Sequence, residues 1–480
     1  MNPQNYPHLE ISVLKLSEVL KDNPTKRMDA EYFKREWVEN EERIRRLPFK
    51  KLGNLCYSIC NGDDCRDYTE EGRYYIRTGD IKELGLNLEF AEKINPNFKP
   101  RTRLEMGDVL ITRKGNYGKS QVVCDPKILE CVISSEIFQL KVKGINPFYL
   151  DIFLRSKYGQ LQFEKHIHGV SNFSVTQNAM LSFLIPLLPL DFQEHIAQLV
   201  KTAHACLEQS KALYKEAQGL LEQELGTLPK APPKEHQIKS LKESFLSTGR
   251  LDAEFYQSKY AQIEDLLKNY KGGVCTLEDF EICDAPFEPQ PNTTYRYVEL
   301  AHIGNYGNIL TPTEALGAHL PTRARRLAQS GDVLLSSVAG SLSRCALVPA
   351  SLSPCVVSTG FFVLRSKRFN PETLLTLFKS PLFQAYLTKF PSGTILCALS
   401  KSVLHSVLLP KIPLNVQEQI AALLQESLKH REQAKVLLTQ AKARAEHALT
   451  GGGGGLTAKK PKWAFLKKKN PKNTGPADWA

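Results

Sequence analysis

The segment Arg113-Lys114-Gly115-Asn116-Tyr117-Gly118-Lys119 concentrates side chains that can read or hold a polyanion. An arginine matches the O6/N7 edge of guanine with two donors, an asparagine matches the N6/N7 edge of adenine, and lysines neutralise phosphates. Gly115 and Gly118 would let the backbone approach a duplex closely. A tight hairpin whose charges are merely solvated would look the same at this stage. Arg77, Thr78 and Lys82, following the strand-like Arg73-Tyr74-Tyr75-Ile76, form a second group of polar candidates. A third is His166-Ile167-His168-Gly169-Val170-Ser171-Asn172-Phe173-Ser174, in which His168, Ser171 and Asn172 could line a groove-facing surface. If that run is extended, His166 and His168 point the same way, as a metal pair would. No acidic or cysteine partner stands nearby, and an ordinary polar loop is the rival.

Catalytic constellations are not apparent. The chain has no GxxxxGK[ST], HExxH, GxSxG or strand-following GxGxxG. The adenine-methyltransferase form [DNS]PP[YFW] is absent too, since Pro232-Pro233 stands between Ala231 and Lys234. No convincing nuclease PD…(D/E)xK occurs. The 11 cysteines are scattered and odd in number, which suits reduced thiols better than a disulfide framework. Cys56, Cys60 and Cys65 approach metal-ligand spacing, but without a CxxC pair or a second cluster no metal is expected.

The candidates fall within a chain that is written twice. Arg27-Met28-Asp29-Ala30-Glu31-Tyr32 reappears 223 positions later as Arg250-Leu251-Asp252-Ala253-Glu254-Phe255. Gly107-Asp108-Val109-Leu110 returns 224 positions later as Gly331-Asp332-Val333-Leu334, and Pro189-Leu190-Asp191-Phe192-Gln193-Glu194-His195-Ile196-Ala197 returns at the same displacement as Pro413-Leu414-Asn415-Val416-Gln417-Glu418-Gln419-Ile420-Ala421. Three ordered matches at one offset exclude chance. The second copy accordingly offers His302 and Asn305 against the Arg77–Lys82 group, Ser337, Ser341 and Arg344 against the basic loop, and Thr394 and Lys401 near the polar run. Different side chains at equivalent places are what two readers of different targets need, and also what neutral drift leaves.

Each copy reads as a short helical lead-in, a strand-rich body and a long helix. Val109-Leu110-Ile111-Thr112 and Gln121-Val122-Val123 predict a hairpin around the glycines, with Val333-Leu334-Leu335-Ser336 and Ala346-Leu347-Val348 in the second copy. The first long helix carries Phe192, Ile196, Leu199, Ala203, Cys206, Ser210, Leu213, Ala217 and Leu220 at alternating spacings of four and three, a heptad seam. From Asp191 to Gly226 it would span about 54 Å at 1.5 Å per residue. The second presents Val416, Ile420, Leu423, Leu428, Leu437, Ala441 and Ala448. Two such helices can pack antiparallel as a ruler. The expected organisation is 1–190 (first body with lead-in), 191–226 (helix), 227–249 (linker and lead-in), 250–413 (second body), 414–450 (helix) and 451–480 (glycine linker and basic tail).

The net charge is +12, and the pI of about 9 suits a polyanionic partner. The tail beyond Gly455 contributes +6, and +12 less +6 leaves only +6 for the body, so a DNA-binding surface must come from clustering. The tail reads either as a solvated extension or as a non-specific DNA or partner contact. No run of eighteen apolar residues and no signal-like start occur, giving the expectation of a soluble, cytoplasmic protein without membrane association.

Taken in order and in duplicate, the Asp-Ala-Glu lead-ins, the Gly-Asp-Val-Leu motifs and the Pro-Leu-x-x-Gln-Glu-x-Ile-Ala helix openings resemble the specificity subunits of type I restriction-modification enzymes over residues 9–450. The resemblance implies two α/β (α+β) target-recognition domains in tandem pseudo-repeat, joined by two long antiparallel coiled-coil helices in a nearly circular layout. It implies that each domain takes one half of an asymmetric, interrupted double-stranded DNA site, one helical turn apart in the major groove. It also implies that the helices, through residues such as Phe192, Ile196, Leu199, Leu213, Leu220, Val416, Ile420, Leu423 and Leu437, space the halves and dock two methyltransferase subunits. Such assemblies methylate adenine with S-adenosylmethionine, and restriction/translocase subunits add ATP- and Mg-dependent cleavage. None of that chemistry, and no cofactor, belongs to this chain. Ser337-Val338-Ala339-Gly340-Ser341-Leu342-Ser343-Arg344 departs from the pattern by losing the paired basic residues, which puts phosphate contacts there in doubt. A subunit of another methylation-linked defence assembly, or a protein-binding scaffold, are the alternatives.

Overall fold

The backbone of a computed structural model repeats itself along the same offset as the sequence. It describes residues 14–20, 23, 26–89, 91–167, 173–227, 238–277, 280–283, 285–393 and 397–450. The chain divides into two units. Unit 1 runs to Thr202 and resumes at Leu437, and unit 2 is Ala203–Val436, so the division falls inside both long helices, Leu190–Leu225 and Leu414–Leu449. Among the described residues no helix is long and apolar enough to cross a membrane.

Unit 1 holds two four-stranded sheets. One is antiparallel, in the order Cys56–Asn61, Ile137–Val142, Val109–Thr112, Ser120–Val122, and includes the expected hairpin, with Val109 opposite Val122 and Ile111 opposite Ser120. The other runs Val132–Ile133, Arg73–Ile76, Glu92–Ile94, Tyr68–Thr69, with a parallel pairing of Val132 to Tyr75. Ile76, Leu110, Val123, Ile133 and Ile137 fill the space between them. Unit 2 repeats the first sheet as Glu281–Ile282, Phe361–Arg365, Val333–Ser336, Cys345–Leu347. Its second sheet, Thr313–Leu316, Thr294–Val298, Cys355–Ser358, Ala324–Ala328, gains its outer strand on the opposite edge.

The repeated motifs are fastenings. Gly107 and Gly331 adopt φ of +92° and +86°, open to glycine and strained for other residues. The aspartates that follow close the same turn: Glu105 N donates to Asp108 Oδ2 (2.8 Å) and Gln329 N to Asp332 Oδ2 (2.7 Å). In the lead-ins, Arg27 grips Asp29 through two hydrogen bonds of 2.7 Å and Arg250 grips Asp252 at 2.8 and 2.6 Å. Each guanidinium lies over the aromatic ring at the end of the motif, Tyr32 at 5.0 Å or Phe255 at 4.6 Å. These paired charges hold the Asp29 and Asp252 carboxyls below the ordinary carboxylate range.

The glutamine of the helix opening has the most demanding role. Gln193 accepts from Asn146 N (3.0 Å) and donates to Leu188 O (2.8 Å), while Gln417 accepts from Asn370 N (2.9 Å) and donates to Ile412 O (2.8 Å). Both are buried, and each ties a long helix to the start of the helix after the antiparallel sheet, Pro147–Arg155 or Pro371–Lys379.

The expected seam is buried at Ile196, Ala203, Cys206, Ser210 and Ala217 and, on the second helix, at Ile420, Leu437 and Ala441, while at Leu199, Leu220 and Leu423 the buried residue is the next one along. The buried stripe runs Ile196, Val200, Ala203, Leu207, Ser210, Ala217, Leu221, and on the second helix Ile420, Leu424, Ser427, Arg431, Ala434, Leu438, Ala441, Ala445. Phe192, Leu199, Leu213, Leu220, Val416 and Leu423 flank it half-buried; Leu220, Val416 and Leu423 also pack against the core of the unit 2 body. The helices are antiparallel within each unit: the Ser210 and Ser427 hydroxyls meet at 3.1 Å in unit 2, and Arg444 meets His195 in unit 1.

Truncating Gln193 to alanine orphans a half-buried amide and a buried carbonyl, and truncating Gln417 orphans a half-buried amide and the carbonyls of Ile412 and Arg368. Each substitution is expected to lower unfolding stability by about 1–3 kcal/mol, measured by urea denaturation, and an unchanged midpoint would show that the tie is dispensable.

Candidate nucleic-acid interface

The basic loop of unit 1 is organised by its backbone. The strand ends at the fully buried Thr112, whose hydroxyl donates to Asn116 O (2.7 Å) and accepts from Lys119 N (2.9 Å), drawing the loop into a ring. Arg113 N donates to Glu136 O (2.9 Å), Val175 N to Arg113 O (2.9 Å) and Gly115 N to Phe173 O (3.1 Å). Gly118, at φ +77°, faces Gln160, which donates to its carbonyl at 2.9 Å.

The same frame stands in unit 2 at an offset of 224, with Ser337 N donating to Gly360 O (2.9 Å), Leu399 N to Ser337 O (2.8 Å) and Ala339 N to Cys397 O (3.0 Å). Gln384 donates to Leu342 O as Gln160 does to Gly118 O. One scaffold thus carries two unrelated sets of side chains.

Those side chains are not equally available. The Arg113 guanidinium turns inward, donating to Ser135 O (3.1 Å) over the Phe138 ring at 5.4 Å, so reading guanine would require leaving those partners. Lys114 stands 3.4 Å from Glu136 with 40% of its side chain exposed, Asn116 is exposed and Tyr117 half-buried. Burial pushes the Tyr117 hydroxyl up, helped by Glu164, and pushes the Lys119 amine down, helped by Lys82. Lys82 belongs to the candidate group that lies apart from this loop in sequence. Lys82 is exposed on the short hairpin Ile81–Lys82 and Gly85–Leu86. Thr78 lies in the turn closed by Arg77 N to Asp80 Oδ2 (2.7 Å), and the Arg77 side chain pairs with Glu92 at 3.4 Å over Tyr68.

In unit 2, Ser337 Oγ donates to Gly360 O (3.0 Å), Ser341 Oγ lies 3.5 Å from Ser336 Oγ, and Arg344 donates to Ile303 O (2.7 Å). His302 caps its own turn, its Nδ1 accepting from Glu299 N (3.1 Å) and its Nε2 lying 3.4 Å from Thr313 Oγ1. Asn305 is half-buried in the neighbouring turn. There Tyr306 is held between the Arg431 guanidinium, 3.9 Å from its ring, and Tyr214. Lys401 is exposed at the start of the helix Lys401–His405. His168, Ser171, Asn172 and Thr394 lie outside the described residues. His166 does not extend: it ends the helix Lys157–His166, buried between Tyr32 and Phe183. Among the described residues no group of three His, Cys, Asp or Glu side chains could hold a metal.

Of the helix residues, Ile196, Ile420 and Leu437 are buried within the chain and present no surface. A partner docking on the helices would meet the exposed faces beside them.

The sequence reading passed over a second basic stretch beside each loop. Lys99, Arg101 and Arg103 are exposed in unit 1, and Arg323 and Arg325 in unit 2. The signal for it was basic residues at alternate positions recurring at the 224 offset, Lys99 with Arg323 and Arg101 with Arg325.

If Lys82 depresses Lys119, replacing Lys82 with methionine should shift the Lys119 titration upward, read by side-chain ¹⁵N NMR. An unmoved titration would show that the two amines are not neighbours.

No family model and no curated protein matches the chain. Among solved structures it is similar to the S subunit of a type I restriction-modification system from M. genitalium, at 13% identity and TM-score 0.41, over 84% of this chain and 94% of that one. It is also similar to an HsdS subunit from Thermoanaerobacter tengcongensis, at 18% identity and TM-score 0.28 over 84% and 96%. A third is a chain from a structure concerned with complex assembly and conformational transition of the type I R-M system, at 19% identity and TM-score 0.28 over 84% and 99%. Similarity at this level transfers no residue roles to this chain.

Proposed function

We propose that this chain is the DNA-recognition subunit of a type I restriction-modification assembly, each unit reading one half of an asymmetric, interrupted duplex site. The observation that supports this best is the loop frame built twice, with the same backbone hydrogen bonds at Arg113 and Ser337 and different side chains on top. A catalytic repeat would keep its reacting groups in both copies. A pair of readers keeps the scaffold and varies what it presents. The polar character of both rims, with cations in unit 1 and hydroxyls in unit 2, suits base edges and phosphates.

On this reading the chain is non-catalytic and acts in the cytoplasm. Two methyltransferase subunits dock on the exposed faces of the long helices, bring S-adenosylmethionine and methylate adenine. Restriction subunits, where the system has them, use ATP and Mg to translocate and cleave. Lysines set a salt-dependent background affinity, and Asn116, Lys114 and the unit 2 hydroxyls discriminate bases.

Co-expressing the chain with an adenine methyltransferase encoded beside it, then mapping methylated bases by long-read sequencing, is expected to return a single interrupted, asymmetric motif. An assembled, cofactor-binding complex that marks no such motif would contradict the proposal.

A further inference from the structure

The two rims differ in a way that leaves unit 2 short of cations. Its loop 337–344 retains one arginine, Arg344, and that guanidinium is engaged by Ile303 O. If both units hold the same polyanion, unit 2 needs its positive charge elsewhere. The stretch 323–326 supplies it. Thr359 N donates to Arg323 O (2.8 Å), and the next-door Gly360 is the residue that pairs with Ser337, so this stretch borders the loop. Within the strand Ala324–Ala328, the end residues Ala324 and Ala328 are buried, while Arg325 is exposed at an irregularity in the pairing with Cys355–Ser358, between Ala324 and Arg326.

Unit 1 has the matching arrangement. Arg101 N donates to Asp63 Oδ2 (3.1 Å), Asp63 O accepts from Ser135 N (2.8 Å), and Ser135 O accepts from Arg113 (3.1 Å). Arg101 therefore sits beside the recognition loop. Its Nε lies 3.3 Å from the buried Asp63, yet 79% of its side chain is exposed, and Lys99 and Arg103 flank it in solvent.

Charges on an outer strand commonly serve to prevent edge-to-edge aggregation. That explanation covers unit 2 alone, because residues 99–103 of unit 1 carry the same charges outside any strand. What the two stretches share is their position beside the loop and their cations.

We propose that Lys99, Arg101 and Arg103 in unit 1 and Arg323 and Arg325 in unit 2 form a repeated clamp on the DNA phosphate backbone, independent of base sequence. The inference rests on the DNA-recognition reading above. It assigns affinity and specificity to different residues: the clamp contributes the first in both units, and the loops contribute the second. Arg325 Nε donates to Thr322 O (3.2 Å) and an acidic neighbour, Glu288, stands at 4.0 Å, which leaves the exposed guanidinium able to meet a phosphate.

The test uses the full chain and a fluorescent double-stranded DNA of random sequence, with affinity measured across a salt series. Lys99→Gln/Arg103→Gln leaves the Arg101–Asp63 pair intact, and Arg323→Gln/Arg325→Gln alters only exposed side chains. Each double variant is expected to flatten the dependence of log affinity on log salt by about 2, at roughly 0.9 for each phosphate no longer neutralised. The quadruple variant should flatten it by twice that. Lys211→Gln/Lys429→Gln removes two cations from the long helices and should leave the slope unchanged, and unfolding midpoints report whether each variant is intact. Binding by the unaltered chain with a slope that these variants do not change, or that the helix control changes equally, overturns the clamp alone. Absence of salt-dependent binding by the unaltered chain overturns the DNA-recognition reading, and the clamp with it.

Discussion

A loop that offers side chains to a ligand must still satisfy its own peptide groups, and every buried N–H or C=O left unpaired costs more than one good contact returns. In this chain the constraint is met from behind. The strand ending at Thr112 or Ser336 passes its next residue between two neighbouring segments, which accept from its amide and donate to its carbonyl. In unit 1 the Thr112 hydroxyl completes the ring, and in unit 2 the Ser336 hydroxyl accepts from Val338 N (3.2 Å). The outward side chains at these loops are thereby released from structural work, which allows one copy to carry Lys114 and Asn116 where the other carries Val338 and Gly340.

The fastenings follow the same economy. Gln193 serves two backbone groups and Gln417 three with one amide, and Asp108 and Asp332 each close a turn and take a second partner, Gln139 (2.5 Å) or Arg365 (2.5 Å). Because these side chains are buried and fully used, they recur in both copies, whereas rim residues do not. The repeat is visible in sequence for the reason that its marks are structural.

That distinction governs what the sequence makes legible. Strand pairs, lead-ins and helix openings are legible because they depend on local patterns: alternation at Val109–Thr112, a glycine requiring positive φ at 107, a buried glutamine at 193. The helix seam reads one residue off at two places on the first helix, where Leu199 and Leu220 fit a heptad as well as the buried Val200 and Leu221 do. At the rim, residue type does not tell which partners a side chain already has. Arg113 has the chemistry for guanine and directs one guanidinium nitrogen to Ser135 O, and His166 is a buried ring at a helix end. Arg101 and Arg323 escape notice because their proximity to the loop depends on hydrogen bonds of their backbones, Arg101 N to the Asp63 carboxylate and Thr359 N to Arg323 O, which no local pattern announces.

The central claim is that one scaffold presents two independent readers. Its most direct test is the methylation motif recorded for Lys114→Ala/Asn116→Ala beside that of the unaltered chain, each assembled with the same methyltransferase. The account predicts a motif relaxed in one half only, with the other half and the unread gap between them unchanged. Relaxation of both halves together, or of neither, would contradict it.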